Sequence, residues 1–134
     1  GMAILHFAFG GNADNVYLPH NLTRNSVVYP GTHDNNTTRG WYQSSSAALQ
    51  DHVRRYFRCD GSDISWDLIR CAYQSTSDLA VIAMQDLMDL GEEARMNQPG
   101  TAQGNWQWRM TSDQFSTHRK NAGYLKDLAT LYGR

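Results

Sequence analysis

The chain has 134 residues, of which 40% are hydrophobic and 19% charged, with a formal net charge of −1. This composition is typical of one globular domain and excludes an intrinsically disordered chain. A charge so close to zero gives no electrostatic basis for binding nucleic acid or an anionic membrane surface. No apolar run approaches the ~18 residues of a membrane span. No signal peptide is visible, and the sequence therefore favours a cytoplasmic location.

Three short apolar runs predict β-strands, at Ala3–Phe9, Ser26–Tyr29 and Leu79–Met84. The last run is continuous rather than alternating, which is typical of a parallel strand buried on both faces. Apolar residues at helical spacing follow the second run twice and recur in the tail. In chain order these residues are Leu49, Val53, Tyr56 and Phe57; Ile64, Leu68, Cys71 and Ala72; and Tyr124, Leu128, Leu131 and Tyr132. Asn36 or Thr37 could cap the first of these helices, and Gly133 closes the last.

Strands that alternate with helices indicate βα units and a parallel sheet, and hence an α/β fold. A closed barrel of this kind needs eight strands, and only three are predicted here. The sequence therefore predicts the last three-eighths of a (β/α)8 barrel, in one segment that covers residues 1–134 without a second domain.

Polar residues capable of chemistry follow the second predicted strand. The apolar run ends at Tyr29, and after a Pro-Gly pair come His33, Asp34 and Asn35. In barrels of parallel strands, active sites are built at this end of the strands. A carboxylate there can accept hydrogen bonds from sugar hydroxyls, but it can equally cap the helix that follows. The residues alone leave both roles open for Asp34, and a structural role open for His33.

A long polar linker, Gly91–Met110, carries two tryptophans, Trp106 and Trp108, next to Arg109. Linkers of this length in compact domains are usually functional or disordered, and two tryptophans argue against disorder. Their rings could stack on sugars or fill a core, and the sequence leaves both readings open. No metal-ligand cluster, P-loop, GxGxxG or HExxH pattern is present, so neither a metal nor a cofactor is predicted.

Six stretches that cover nearly the whole chain carry a family resemblance. They are Gly1–Phe9, Tyr17–Asn21, Val27–Trp41 with Gly-Thr-His-Asp-Asn at its centre, Asp86–Asn97, Asn105–Arg109 and Leu131–Arg134. In order and spacing they resemble the C-terminal part of the 4-α-glucanotransferases of the amylomaltase (disproportionating enzyme) family, glycoside hydrolase family 77. The resemblance implies a (β/α)8 barrel in which the three strands here are the sixth, seventh and eighth.

The same resemblance implies a retaining enzyme, without cofactor or metal, that transfers α-1,4-glucan segments between maltooligosaccharides or starch-type glucans. Asp34 matches the carboxylate that stabilises the transition state. The residues that match substrate-binding positions are His33, Asn35, Asn97, Pro99 and Gly100. Gln98 stands where the family commonly has threonine. The nucleophile and the acid/base of the family have no match in this chain.

Three functional hypotheses follow. In the first, the chain is a C-terminal segment of a glucanotransferase and is inactive alone, because retaining chemistry needs a nucleophile and an acid/base. In the second, it is a split subunit that completes its barrel with another chain or with a copy of itself. In the third, it is a non-catalytic glucan-binding module that uses Asp34, Trp106 and Trp108.

Overall fold

The computed structural model describes all 134 residues and contains a parallel three-stranded sheet and six α-helices. The strands are β1 (Met2–Ile4), β2 (Val27–Tyr29) and β3 (Leu79–Ala80). The helices are α1 (Thr38–Ser44), α2 (Ala47–Phe57), α3 (Ile64–Gln74), α4 (Met84–Leu87), α5 (Ser112–His118) and α6 (Asn121–Tyr132). Short 3-10 turns lie at Leu5–Phe7, Pro19–Asn21 and Glu92–Ala94. The prediction of a parallel α/β sheet is confirmed.

The strand β2 lies at the centre of the sheet, with β1 on one side and β3 on the other. Met2 pairs with Val27, and Val27 pairs with Leu79, so all three strands point the same way. The first strand is shorter than predicted, because a 3-10 turn, in which Leu5 and His6 are buried, begins directly after Ile4. The carboxyl ends of the strands consequently meet at one edge of the sheet.

The prediction that Leu79–Met84 is a strand buried on both faces is wrong. Only Leu79–Ala80 forms a strand, and the Leu79 side chain is 54% exposed. Val81 continues the ladder by one hydrogen bond, since its N–H donates to Val28 O at 2.9 Å. The physical reason is that the run alternates between two faces of the sheet: Ala80 and Ile82 pack against the core, whereas Leu79 and Val81 lie on the face that no layer of this chain covers.

The core lies between the sheet and helices α2 and α3. Val28, Val53 and Leu68 are fully buried there, as the sequence spacing predicts. Burial of each such side chain contributes about 1.5–3 kcal/mol to folding. In α6, Leu128 is buried against the body of the protein, whereas Leu131 is 66% exposed and departs from the predicted apolar face. No helix is both long enough and apolar enough to cross a membrane.

The helix that the sequence predicts after β2 is divided into α1 and α2. Thr37 caps α1, since its hydroxyl accepts a hydrogen bond from the Gly40 N–H at 3.1 Å. Ser46 caps α2 in the same way, through Leu49 N–H at 3.3 Å. The two caps fix where each helix begins and hold the loop between β2 and α1 in a defined position.

Candidate active site

A cleft of about 520 Å³ opens at the carboxyl ends of the three strands. Both apolar and polar side chains line it. The apolar residues include Met2, Ile4, Phe7, Tyr29 and Val81, and the polar residues include Thr32, His33, Asp34, Asn35, Gln85 and Arg95. An apolar cleft with a few converging polar groups is the usual form of a small-molecule site.

Asp34 lies on the loop between β2 and α1, with its side chain half exposed. Its Oδ1 accepts a hydrogen bond from Asn97 Nδ2 at 2.7 Å and lies 3.4 Å from His33 Nε2. Its backbone carbonyl accepts a hydrogen bond from Arg95 Nη2 at 2.9 Å. Because no group of the protein donates to Oδ2, that oxygen is available to accept a hydrogen bond from a bound molecule.

The alternative role for Asp34, as a helix cap, is excluded. The cap of α1 is Thr37, and the Asp34 carboxylate accepts no hydrogen bond from a helix N–H. The Asp34 N–H donates instead to Thr32 Oγ1 at 3.3 Å, which belongs to the turn before it. The cap therefore belongs to Thr37, and contact of Asp34 with a ligand stays a prediction.

Asn35 fixes the turn that carries Asp34. Its Oδ1 accepts hydrogen bonds from the N–H and the hydroxyl of Thr32, both at 2.8 Å. Its own N–H donates to Thr32 O at 3.1 Å, which closes the turn. The Asn35 Nδ2 makes no hydrogen bond within the protein and lines the cleft, so a contact with substrate stays a prediction for that atom.

The long linker reaches the same site through Asn97. Besides donating to the Asp34 carboxylate, Asn97 donates its N–H to His33 O at 3.1 Å. Pro99 and Gly100 are the central residues of a turn closed by Thr101 N–H and Gln98 O at 3.2 Å. Gly100 has φ 82°, a conformation that glycine adopts without strain, and proline before it is typical of such a turn. Both are exposed and outside the cleft, so their contact with substrate stays a prediction.

A buried polar network reaches the cleft through Asp86 and joins segments that follow each of the three strands. Asp86 accepts two hydrogen bonds from Thr38, one from the N–H at 2.8 Å and one from the hydroxyl at 2.9 Å. The Thr38 hydroxyl also lies 2.9 Å from His6 Nε2. With Asp86 ionised, the hydroxyl donates its only proton to the carboxylate and must therefore accept from His6, which places the imidazole proton on Nε2.

Burial determines the charge state of this network. It lowers the pKa of His6 to about 3, so the imidazole is neutral near pH 7. It also raises the pKa of the Asp86 carboxyl, against the opposing effect of the two hydrogen bonds from Thr38. The His6 ring stacks on Trp41 with centroids 4.5 Å apart, and a Cβ added at Gly31 would overlap the imidazole. His6 is thus a neutral, immobilised part of the structure.

The sequence does not predict the roles of His6, Thr38, Asp86 or Arg95 at this site. One signal was available for Asp86, because it follows the third apolar run as Asp34 follows the second. The tryptophans differ in their surroundings. Trp41 packs in the core. Trp106 is 51% exposed, and its ring centroid lies 5.1 Å from that of His33.

Parallel βα units with a half-exposed carboxylate at the carboxyl edge of the sheet define an α/β protein with a candidate site at that edge. A family model described as 4-alpha-glucanotransferase, of glycoside hydrolase family 77, matches residues 1–115. The chain belongs to this family.

Named relatives match the chain over its whole length. The chloroplastic/amyloplastic 4-alpha-glucanotransferase of Arabidopsis thaliana is 48% identical, and 24% of that protein is covered. The 4-alpha-glucanotransferase of Synechocystis sp. is 46% identical, and 26% of that protein is covered. Among solved structures, the amylomaltase from Streptococcus agalactiae in complex with acarbose superposes with a TM-score of 0.92 at 34% identity. The match covers 27% of that protein. The chain thus spans about a quarter of the length of these relatives.

Proposed function

We propose that the chain forms the part of a 4-α-glucanotransferase site that stabilises the transition state, with Asp34 as the catalytic residue. The observation that carries this proposal is the geometry of the carboxylate. Asn97 holds Oδ1 in place beside His33, while Oδ2 has no hydrogen-bond partner within the protein, and Asp34 lines the cleft. A carboxylate anchored through one oxygen can hold sugar hydroxyls through the other without reorganising during the reaction.

Retaining transfer breaks and forms one glycosidic bond in two steps. In the first, a carboxylate attacks the anomeric carbon of an α-1,4-linked glucose while a carboxylic acid protonates the departing 4-oxygen. In the second, the deprotonated acid/base takes the proton from another glucan's 4-hydroxyl, which displaces the enzyme carboxylate. Asp34 would accept hydrogen bonds from hydroxyls of the glucose that develops oxocarbenium character, bonds that strengthen in the transition state.

The nucleophile and the acid/base are proposed to lie outside this chain. Asp86 is the only other carboxylate that lines the cleft, and it is buried and hydrogen bonded to Thr38. The chain would therefore supply one of the three carboxylates that the family uses, and would not catalyse transfer by itself. Its location in the cytoplasm remains a prediction, as does its assignment to one segment of the barrel.

Exposed edges of the sheet support completion of the barrel by further strands. Within this chain β1 and β3 each pair with β2 only, and their outer edges are unpaired. Met2, Phe7 and Leu79 are each at least half exposed beside these edges. An exposed apolar sheet edge is a ready template for pairing with another segment. That segment would come from a longer chain of the same protein, from a second chain or from a copy.

Product analysis with maltotriose tests the proposal. We would compare the 134-residue chain with a hybrid enzyme in which it replaces the matching segment of the Streptococcus agalactiae amylomaltase. We expect glucose and longer maltooligosaccharides from the hybrid enzyme only. Turnover by the chain alone would show that its own carboxylates suffice. A folded hybrid without turnover, together with maltoheptaose binding by the chain alone, would favour the non-catalytic glucan-binding module.

A further inference from the structure

Trp106 is a large aromatic side chain left exposed beside the candidate catalytic residue. Its indole is 51% exposed, and its ring centroid lies 5.1 Å from the imidazole of His33 with the two planes tilted by 39°. His33 lines the cleft, whereas Trp106 does not. The indole therefore stands at the rim, where it extends the site beyond the cleft.

The backbone of Trp106 adopts a conformation that bulky residues rarely take. Its φ is 62°, in the left-handed region, where the Cβ of an L-residue crowds the neighbouring carbonyl. Such a conformation costs free energy and persists only where surrounding contacts determine it. Strain of this kind is frequent at ligand-binding sites, because there the position of a side chain matters more than local stability.

Hydrogen bonds hold the segment that carries Trp106 against the loop of Asp34. The Trp106 N–H donates to Met96 O at 2.7 Å, and Gln98 N–H donates to Asn105 Oδ1 at 2.9 Å, so the two ends of the linker segment are joined. Asn97, next to Met96, is bonded to both His33 and Asp34. The backbone of Trp106 is thus connected to the Asp34 carboxylate through a few hydrogen bonds, which place the indole near it.

The other tryptophans show that exposure of Trp106 is particular to this site. Trp41 stacks on His6, and Trp66 packs on Tyr124 with ring centroids 4.8 Å apart. Trp108, two residues further along, is half-buried. Only Trp106 combines an exposure above one half with a contact to a residue that lines the cleft.

We propose that the indole of Trp106 is a stacking surface for a glucose unit of an α-1,4-glucan, next to the unit held by Asp34. This inference rests on the proposed function, since it takes the glucan as the occupant of the cleft. A pyranose ring has one face of C–H groups, which an indole covers while the hydroxyls at the ring edge stay free for polar partners. The contact would bind ground state and transition state equally and would thus act on affinity.

Titration of the 134-residue chain with maltoheptaose, followed by NMR, tests the inference. The four tryptophans give separate indole Nε1–H resonances, which single substitutions assign. We expect the resonance of Trp106 to move with added maltoheptaose. Trp106→Ala should raise the dissociation constant about five- to tenfold. Trp106→Phe, which keeps a flat ring, should restore binding to within about twofold of the unchanged chain.

Two further variants serve as controls. Phe115→Ala removes a side chain that is 56% exposed on α5, away from the cleft, and should leave binding unchanged. Asp34→Asn reports on the proposed function independently. If Asp34→Asn weakens binding and Trp106→Ala does not, the stacking role is wrong and the proposed function stands.

Three further outcomes would contradict the stacking role of Trp106. A Trp106 resonance that stays fixed while maltoheptaose binds overturns the stacking role, even if Trp106→Ala fails to fold. Equal loss of binding in Trp106→Ala and Trp106→Phe also overturns it, because a flat ring should suffice. Absence of any maltoheptaose binding by the folded, unchanged chain overturns the stacking role, whereas turnover by the hybrid enzyme decides the proposed function separately.

Discussion

Two histidine–aspartate arrangements lie at the same end of the sheet, and they differ chiefly in burial. In the interior, His6 and Asp86 are joined through the hydroxyl of Thr38, and all three side chains are buried. At the rim, His33 and Asp34 are adjacent in sequence and at least half exposed. Identical residue types thus serve different purposes: the buried pair fixes the backbone of three loops, and the exposed pair can meet a substrate.

The exposed pair depends on the buried one for its position. Thr38 begins α1, and the loop that carries His33 and Asp34 ends at that helix. Because Thr38 donates two hydrogen bonds to Asp86, the start of α1 is tied to α4, which follows the third strand. Substitutions in the buried network should therefore act first on stability, and substitutions at the rim first on binding and turnover.

The largest effect is expected from Asp34→Asn in the hybrid enzyme. Replacement of the carboxylate by a neutral amide removes a charge that stabilises the oxocarbenium-like state, and kcat should fall about 10²–10³-fold. Steady-state kinetics with maltotriose measures this loss. Urea unfolding of the 134-residue chain should change little, because the side chain is half exposed. An unchanged kcat would show that Asp34 is not a catalytic residue. The control is Asp78→Asn, a substitution at an exposed position.

Next in size is the effect of Asp86→Ala on stability. The variant leaves the buried N–H and hydroxyl of Thr38 without an acceptor, so the free energy of unfolding should fall by about 3 kcal/mol. Urea denaturation followed by circular dichroism measures it. Asp78→Ala, at an exposed position, should stay within about 0.5 kcal/mol of the unchanged chain. Equal behaviour of the two variants would mean that the buried network contributes nothing to stability.

The buried histidine predicts a dependence of stability on pH. The pKa of His6 is lowered from 6.5 to about 3 in the folded protein. Below pH 6.5 the unfolded chain therefore binds a proton at this histidine, whereas the folded chain does not. Stability should therefore fall by about 2 kcal/mol between pH 7 and pH 5. The raised pKa of Asp86 acts in the opposite direction on acidification and reduces the loss near and below that pKa.

His6→Gln isolates this contribution. Glutamine can still donate a hydrogen bond to Thr38 but has no proton to gain, so the difference in unfolding free energy between pH 7 and pH 5 should shrink. Urea denaturation of both proteins at the two pH values is the measurement. If the variant loses as much stability as the unchanged chain, then other groups cause the pH dependence.

The smallest effect is expected from Asn97→Ala at the rim. The carboxylate of Asp34 would keep its charge but lose the bond that holds Oδ1, and maltoheptaose affinity should fall about fivefold, or about 1 kcal/mol. NMR titration measures the change. Gln98→Ala provides the matched control, because the Gln98 side chain makes no hydrogen bond in the protein. If Asn97→Ala and the unchanged chain bind maltoheptaose with equal affinity, then Asn97 makes no contribution to binding.

Local sequence patterns account for much of the fold and for the placement of Asp34. Helical spacing identifies Val53, Leu68 and Leu128 as buried, since periodicity reflects the face that each helix turns to the core. The strand-end position identifies Asp34 because parallel strands deliver their loops to one edge. Both signals depend only on residues that are close in sequence.

What the sequence misses depends on distant partners. The bond between Thr38 and Asp86 joins residues 48 positions apart, and no local pattern encodes it. The burial predicted for the Leu79–Met84 run is wrong for a related reason, since an apolar run indicates a preference for burial but does not supply the neighbour. The choice between core and surface for Trp106 likewise depends on where the linker folds back onto Met96.

The close approach of Gly31 to the His6 ring has a consequence for sequence change. Any side chain at position 31 would overlap the imidazole, so alanine there is excluded while histidine occupies position 6. A smaller residue at position 6 would create room for a methyl group at position 31 and would also leave a void beneath Trp41. Substitutions at positions 6 and 31 are therefore coupled. A protein that changes the residue at one of these positions first is less stable until the residue at the other has changed as well.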